Sequence, residues 1–77
     1  MKLETNKPIS IQLQELVRME LTTDTINSIG RNNGFQNGYA AKLFEGNINI
    51  SERNKDLILE VVKESIKCRT VRFPNDV

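Results

Sequence analysis

Apolar residues in the first third of the chain recur at helical spacing. Leu13, Leu16, Val17 and Leu21 follow i, i+3, i+4, i+8, which makes one amphipathic stripe. Ser10 stands ahead of the stripe as a cap, so the pattern predicts a helix running to Leu21 or Thr22. Glu15 and Arg18, spaced i, i+3, are expected to support it from the polar side. Thr22, Thr23 and Asp24 break the stripe and can cap a second helix, about Asp24 to Asn33, which buries Ile26 and Ile29. A third helix is predicted to start at Gln36 or Asn37 and to reach about Glu45, with Gly46 as its stop. Ile48 and Ile50 are apolar for a loop and are expected to tuck into the core. Ser51 then caps a long helix to about Lys67, with Leu57, Ile58, Val61, Val62 and Ile66 as its inner stripe. Its wet face carries Glu60 with Lys63 and Glu64 with Lys67. From Thr70 to Phe73 polar and apolar residues alternate up to Pro74, which reads as a short strand or a loose tail.

The segment Ile26 to Leu43, INSIGRNNGFQNGYAAKL, is the most informative part of this pattern. It places small residues at Gly30 and Ala40, a glycine at Gly34, and apolar residues at Phe35 and Leu43. Two short helices that cross closely need this order: a large side chain at Gly30 or Ala40 would force them apart. Gly34 can take a positive φ at the turn without steric cost. The chain thus divides into a polar lead over residues 1–9, a helical domain over 10–67 and a C-terminal tail over 68–77. Pro8 favours an extended Lys7 within the lead.

Composition narrows the class. With 77 residues, 38% of them hydrophobic and four aromatic, the chain forms one small domain with an aliphatic core. The expectation is an all-α bundle. Cys68 is a lone cysteine, so no internal disulfide forms, and it reads as a small apolar residue near a helix end in a reducing, cytoplasmic setting. No secretory leader or membrane span is expected, because no apolar run approaches the ~18–20 residues required. The chain has no histidine, one cysteine and carboxylates interleaved with lysines, so an enzyme, a metal site and a cofactor are not expected. Net charge is +1, which argues against a strongly basic, non-specific polyanion binder. Its distribution is uneven. No acidic residue lies between Asp24 and Glu45, whereas Arg31 and Lys42 do, and Lys63, Lys67, Arg69 and Arg72 form a second basic group.

The tight-turn unit Ile26–Leu43, with the following KLFEGNINISERNKDLILEVV from Lys42 to Val62, resembles the lambda-repressor-like superfamily of helix-turn-helix domains. That superfamily includes Cro and Xre-type regulators and the headpieces of lactose-repressor-type proteins. Asn49-Ile50-Ser51 stands where that family begins a capped helix after a glycine stop. The resemblance covers roughly residues 10–67 and implies a compact bundle of four to five helices. This chain departs from the family where Gln36 replaces the usual Ser or Thr cap, so Asn37 is expected to cap one residue late. It departs again at Gly38, in the first turn of the third helix, where glycine costs up to ~1 kcal/mol against alanine. Either a bare backbone approaches a phosphate or base there, or a short helix tolerates the loss.

On this resemblance the third helix enters the major groove of double-stranded DNA. Gln36, Asn37, Gly38, Tyr39, Ala41 and Lys42 then face outward. Gln36 and Asn37 can each pair bidentately with adenine, and Lys42 can reach guanine or a phosphate. The Tyr39 ring is expected to pack while its hydroxyl reaches a phosphate. Arg31, Asn32 and Asn33, and Asn47 and Asn49 after Gly46, are candidate backbone contacts, with turn chemistry as the plain alternative. The expected function is a small sequence-specific regulator of the phage or mobile-element repressor type, in a bacterial cell or a phage-infected host. It is expected to act as a homodimer in which Thr70 to Phe73 pair as strands, with no membrane partner and no small-molecule ligand. The alternative is a protein-interaction or structural module that keeps the fold without binding DNA.

Overall fold

The computed structural model describes residues 3–72, with the backbone alone at Arg72. Four helices form the described chain: α1 (Ile11–Glu20), α2 (Thr23–Asn32), α3 (Tyr39–Leu43) and α4 (Lys55–Arg72). The described residues contain no strand, and the fold is a small all-α bundle. None of its helices is long and apolar enough to cross a membrane.

Local chemistry sets the helix starts. The Ser10 hydroxyl accepts a hydrogen bond from the Leu13 amide at 3.3 Å, and Thr22 accepts one from Thr25 at 3.2 Å. Both satisfy an N–H that the first helical turn leaves unpaired. Asp24 in the first turn and Arg31 in the last complement the dipole of α2. The start of α4 uses the reciprocal half of a capping box. The Ser51 carbonyl accepts from Lys55, while the Asn54 side chain reaches back to accept from the Ser51 amide at 2.8 Å. Ser51 therefore opens the turn that leads into α4, but the helix itself begins at Lys55, later than the start expected directly after Ser51.

Val17 and Leu21 of α1, Ile26 of α2, Leu43 at the end of α3, and Leu57, Ile58, Val61 and Val62 of α4 fill the core. Phe44 and Ile50 join them from the loop after α3, as expected for Ile50, with Ile48 partly buried against them. Ile66 departs from the expected stripe and is 53% exposed. The inner face follows Ile58, Val61, Val62 and Ser65, and Ser65 is buried with its hydroxyl donating to the Val62 carbonyl at 2.7 Å. Neighbouring helix positions differ by about 100°, so burying Ser65 turns Ile66 outward.

The short strand or loose tail expected at 70–73 is not formed over its described part. Thr70, Val71 and Arg72 continue α4. Adding residues to an existing helix gains one hydrogen bond per residue fixed, whereas an isolated strand has no partner to pair with. The Thr70 hydroxyl also donates to the Ile66 carbonyl at 2.9 Å, one turn back. Phe73 and Pro74 lie outside the described residues. The predicted Glu15–Arg18 support is replaced by a longer-range contact, with Arg18 3.7 Å from Glu45 beyond α3.

The polar lead is tied to the domain. Asn6 donates to the Ile50 carbonyl at 2.8 Å and Ile50 donates to Lys7 at 2.7 Å. Ile9 is buried, and Gln14 of α1 donates to its carbonyl at 2.7 Å. These bonds lay residues 6–9 along the loop that precedes α4.

Candidate functional site

The α2–turn–α3 unit is built around one contact. A Cβ placed on Gly30 would lie 2.8 Å from the Ala40 Cβ, closer than two carbons can approach. The crossing read from the sequence is therefore present, with both residues buried. Beyond Gly30, α2 ends in a paired set of turn hydrogen bonds. Phe35 donates to the Gly30 carbonyl at 3.0 Å and Gly34 to Arg31 at 3.0 Å, with Gly34 at φ 85°. This is a Schellman end, and the left-handed residue it requires is the glycine. Asn33 contributes locally: its side-chain amide donates to the Ile29 carbonyl at 2.8 Å. The same pair of bonds closes α3, from Asn47 to Lys42 at 3.1 Å and from Gly46 to Leu43 at 3.3 Å.

The third helix is shorter than expected, Tyr39–Leu43 against Gln36 or Asn37 to Glu45. Residues 36–39 make a separate turn in which Tyr39 donates to the Gln36 carbonyl at 3.1 Å. Gly38 then sits at φ 88° as the N-cap, ahead of the helix rather than within its first turn. Its glycine is explained by that backbone angle, which side-chain-bearing residues adopt at a cost. Neither Gln36 nor Asn37 caps α3. The cap comes from α2: the Asn27 side-chain oxygen accepts from the Ala41 amide at 3.1 Å. One side chain thus satisfies an orphan N–H and pins α3 to α2.

The sequence-predicted residues divide into three groups. Arg31 and Asn37 are brought together, the guanidinium donating to the Asn37 side-chain oxygen at 2.7 Å across the turn, and both are exposed. Gln36, Lys42, Asn32, Asn47 and Asn49 are also exposed, on the turn, on α3, at the end of α2 and in the following loop. Tyr39, Gly38 and Ala41 are half-buried and serve the scaffold. The Tyr39 ring stacks on Phe35 with centroids 4.8 Å apart, and its hydroxyl accepts from the Asn54 amide at 3.2 Å.

Three residues that sequence reasoning did not single out complete the arrangement. Asn54 is wholly buried and uses its full side chain: Oδ1 accepts from Ser51, and Nδ2 donates to Tyr39 and to the Asn49 carbonyl at 3.1 Å. Its distance of three residues from Ser51 is capping-box spacing, a signal present in the sequence. Arg53 lies over the aromatic pair, with its guanidinium carbon 4.8 Å from the Phe35 centroid and 6.0 Å from that of Tyr39. Asn27 carried no local signal, because its partner is 14 residues away.

Chemically, this surface offers hydrogen-bond donors and fixed positive charge. Arg31, Lys42 and Arg53 are exposed, and the carboxylates next to Lys42 and Arg53 in sequence are engaged elsewhere: Glu45 with Arg18 at 3.7 Å, and Glu52 with Lys55 at 3.0 Å. Comparison of the chain with protein-family models, with curated proteins and with solved structures finds no match.

Proposed function

We propose that this chain is a small sequence-specific DNA-binding regulator of the lambda-repressor-like kind, working in the cytoplasm as a homodimer. The observation that carries the reading is the α2–turn–α3 unit. A close Gly30–Ala40 crossing leaves Arg31, Gln36, Asn37 and Lys42 exposed on a stretch with no carboxylate between Asp24 and Glu45. In the proposed complex the turn and α3 enter the major groove. Lys42 and the basic end of α2 meet phosphates, while Gln36 and Asn37 meet base edges.

The Arg31–Asn37 hydrogen bond moves the base preference of Asn37 away from the adenine expected from sequence. With its oxygen accepting from Arg31, Asn37 presents its amide N–H groups, which suit the acceptors of guanine or thymine. Gln36 keeps both a donor and an acceptor for adenine. Because α3 spans five residues, few side chains reach bases from one protomer, and two half-sites ~34 Å apart supply the rest.

The test is footprinting on genomic fragments, including the chain's own promoter, over a salt series. A regulator protects a short two-fold site, and affinity falls with salt as about 0.9 log units per phosphate contact. Lys42 and Arg31 in each of two protomers contribute a slope of about −4, to which any further phosphate contact adds. Lys42→Ala weakens binding to every sequence, and Asn37→Ala also alters base preference. A chain that prefers no fragment at low salt is not a regulator. A protein-interaction module is the second reading, favoured by Ile11 and Met19, each 68% exposed on α1.

A further inference from the structure

Arg53 is held in place from two directions. Its backbone neighbour Asn54 is buried and ties the loop to Ser51, Asn49 and Tyr39 through three hydrogen bonds. Its guanidinium rests over the Phe35–Tyr39 stack at 4.8 and 6.0 Å from the two centroids. A guanidinium this close to two rings is drawn toward their electron-rich faces, and its five N–H donors remain to be matched by acceptors. Among the described residues no carboxylate pairs with it, and the adjacent Glu52 is taken by Lys55. The rings beneath it belong to the turn and to the first residue of α3, so the charge is fixed beside the groove-facing turn. A long, exposed side chain normally loses much rotamer freedom when it binds an anion. In Arg53, contact with the two rings already limits part of that freedom.

We infer that Arg53 is a phosphate seat: a guanidinium fork, packed beside Phe35 and Tyr39, that takes a phosphodiester oxygen pair of the DNA backbone. The inference rests on the DNA-binding reading and adds a contact outside the helix-turn-helix unit. It assigns Phe35 and Tyr39 a second role, as the platform that orients the fork. Arg–phosphate pairing through two parallel N–H donors suits a planar guanidinium better than a lysine ammonium. The contact carries no base information, so its loss weakens all sequences alike.

The experiment compares the full chain with Arg53→Ala and Arg53→Lys on one duplex that the chain prefers and one unrelated duplex, across a potassium chloride series. Circular dichroism melts of each variant check folding. For Arg53→Ala, the slope of log affinity against log salt becomes shallower by about 0.9 per bound protomer. At 0.1 M salt the same relation gives about an eightfold loss per protomer, referenced to 1 M, on both duplexes. Arg53→Lys keeps the wild-type slope and loses less affinity, since it retains charge but not the planar fork. If wild-type chain binds and Arg53→Ala matches it in slope and affinity, the assignment is overturned while the DNA-binding reading stands. If wild-type chain binds neither duplex at low salt, both fall together. An Arg53→Ala loss confined to the preferred duplex also overturns it, because that is the mark of a base contact.

Discussion

Replacing Gly30 by alanine tests whether the α2–α3 crossing is a steric constraint or an incidental approach. At an unconstrained position in the interior of a helix, glycine to alanine gains about 1 kcal/mol of stability. Here the new methyl would sit 2.8 Å from the Ala40 Cβ. That carbon is fixed to the α3 backbone, so relief requires the two helices to separate. Overpacking of this kind costs about 1–3 kcal/mol. Taking about 2 for the clash and subtracting the propensity gain leaves a net loss of about 1 kcal/mol. For a domain of this size that lowers the melting midpoint by about 4–8 °C. Urea and thermal unfolding measure it directly. Ala40→Gly alone should cost about 2 kcal/mol, from a buried methyl and a weaker helix. The double variant Gly30→Ala/Ala40→Gly moves the methyl across the interface and should return to within about 1 kcal/mol of wild type. A Gly30→Ala variant more stable than wild type, with additive behaviour in the double variant, would refute the crossing argument.

Other substitutions probe the surrounding scaffold. Asn54→Ala leaves partners on Ser51, Tyr39 and Asn49 unmatched in a part-buried setting, and should destabilise by about 2 kcal/mol in urea unfolding. Tyr39→Phe removes one of those bonds and keeps the ring stack, so a loss near 1 kcal/mol is expected. Asn27→Ala removes the cap of α3 and should cost about 1 kcal/mol, with the Ala41 amide exchanging faster than in wild type. At the exposed lead, the hydrogen bond from Lys7 and its charge hold the Glu4 carboxyl below its ordinary value, and the same bond and charge raise Lys7. The Glu4 contribution is thus complete above the ordinary carboxylate range and is lost as pH falls through the lowered value. The Lys7 contribution is present below the ordinary lysine range and is lost as pH rises through the raised one. A titration by nuclear magnetic resonance should show the Glu4 midpoint return to normal in Lys7→Gln.

Much of the fold was legible because it is written at short range. Ser10 and Thr22 cap where their side chains and the following apolar spacing place them, and Gly30, Gly34 and Gly46 mark a crossing and two helix ends. The misreadings arise where distant residues decide. The start of α3 could not be read from Gln36 and Asn37, because Asn27 on the previous helix provides the cap. The end of α4 was read as alternation over four residues, too short a run to outweigh growth of an existing helix. Ile66 and Ser65 exchanged roles because phase along a long helix is set by what packs opposite it. At the candidate site, the exposed Gln36, Asn37, Lys42 and Arg31 were visible as polar residues in an acid-free window. The Arg31–Asn37 bond and the Arg53 stack join positions across loops, and no local pattern announces them.

The central claim is that the turn–α3 face meets DNA, and amide chemical-shift mapping tests it most directly. The labelled chain is titrated with the duplex it prefers, or with a mixed-sequence 20-base-pair duplex at low salt. The account predicts that shifts concentrate at Arg31, Gln36, Asn37, Lys42, Asn47 and Arg53, with Ile11 and Met19 on α1 unmoved. Shifts centred on Ile11 and Met19, or none anywhere on the chain, would contradict it.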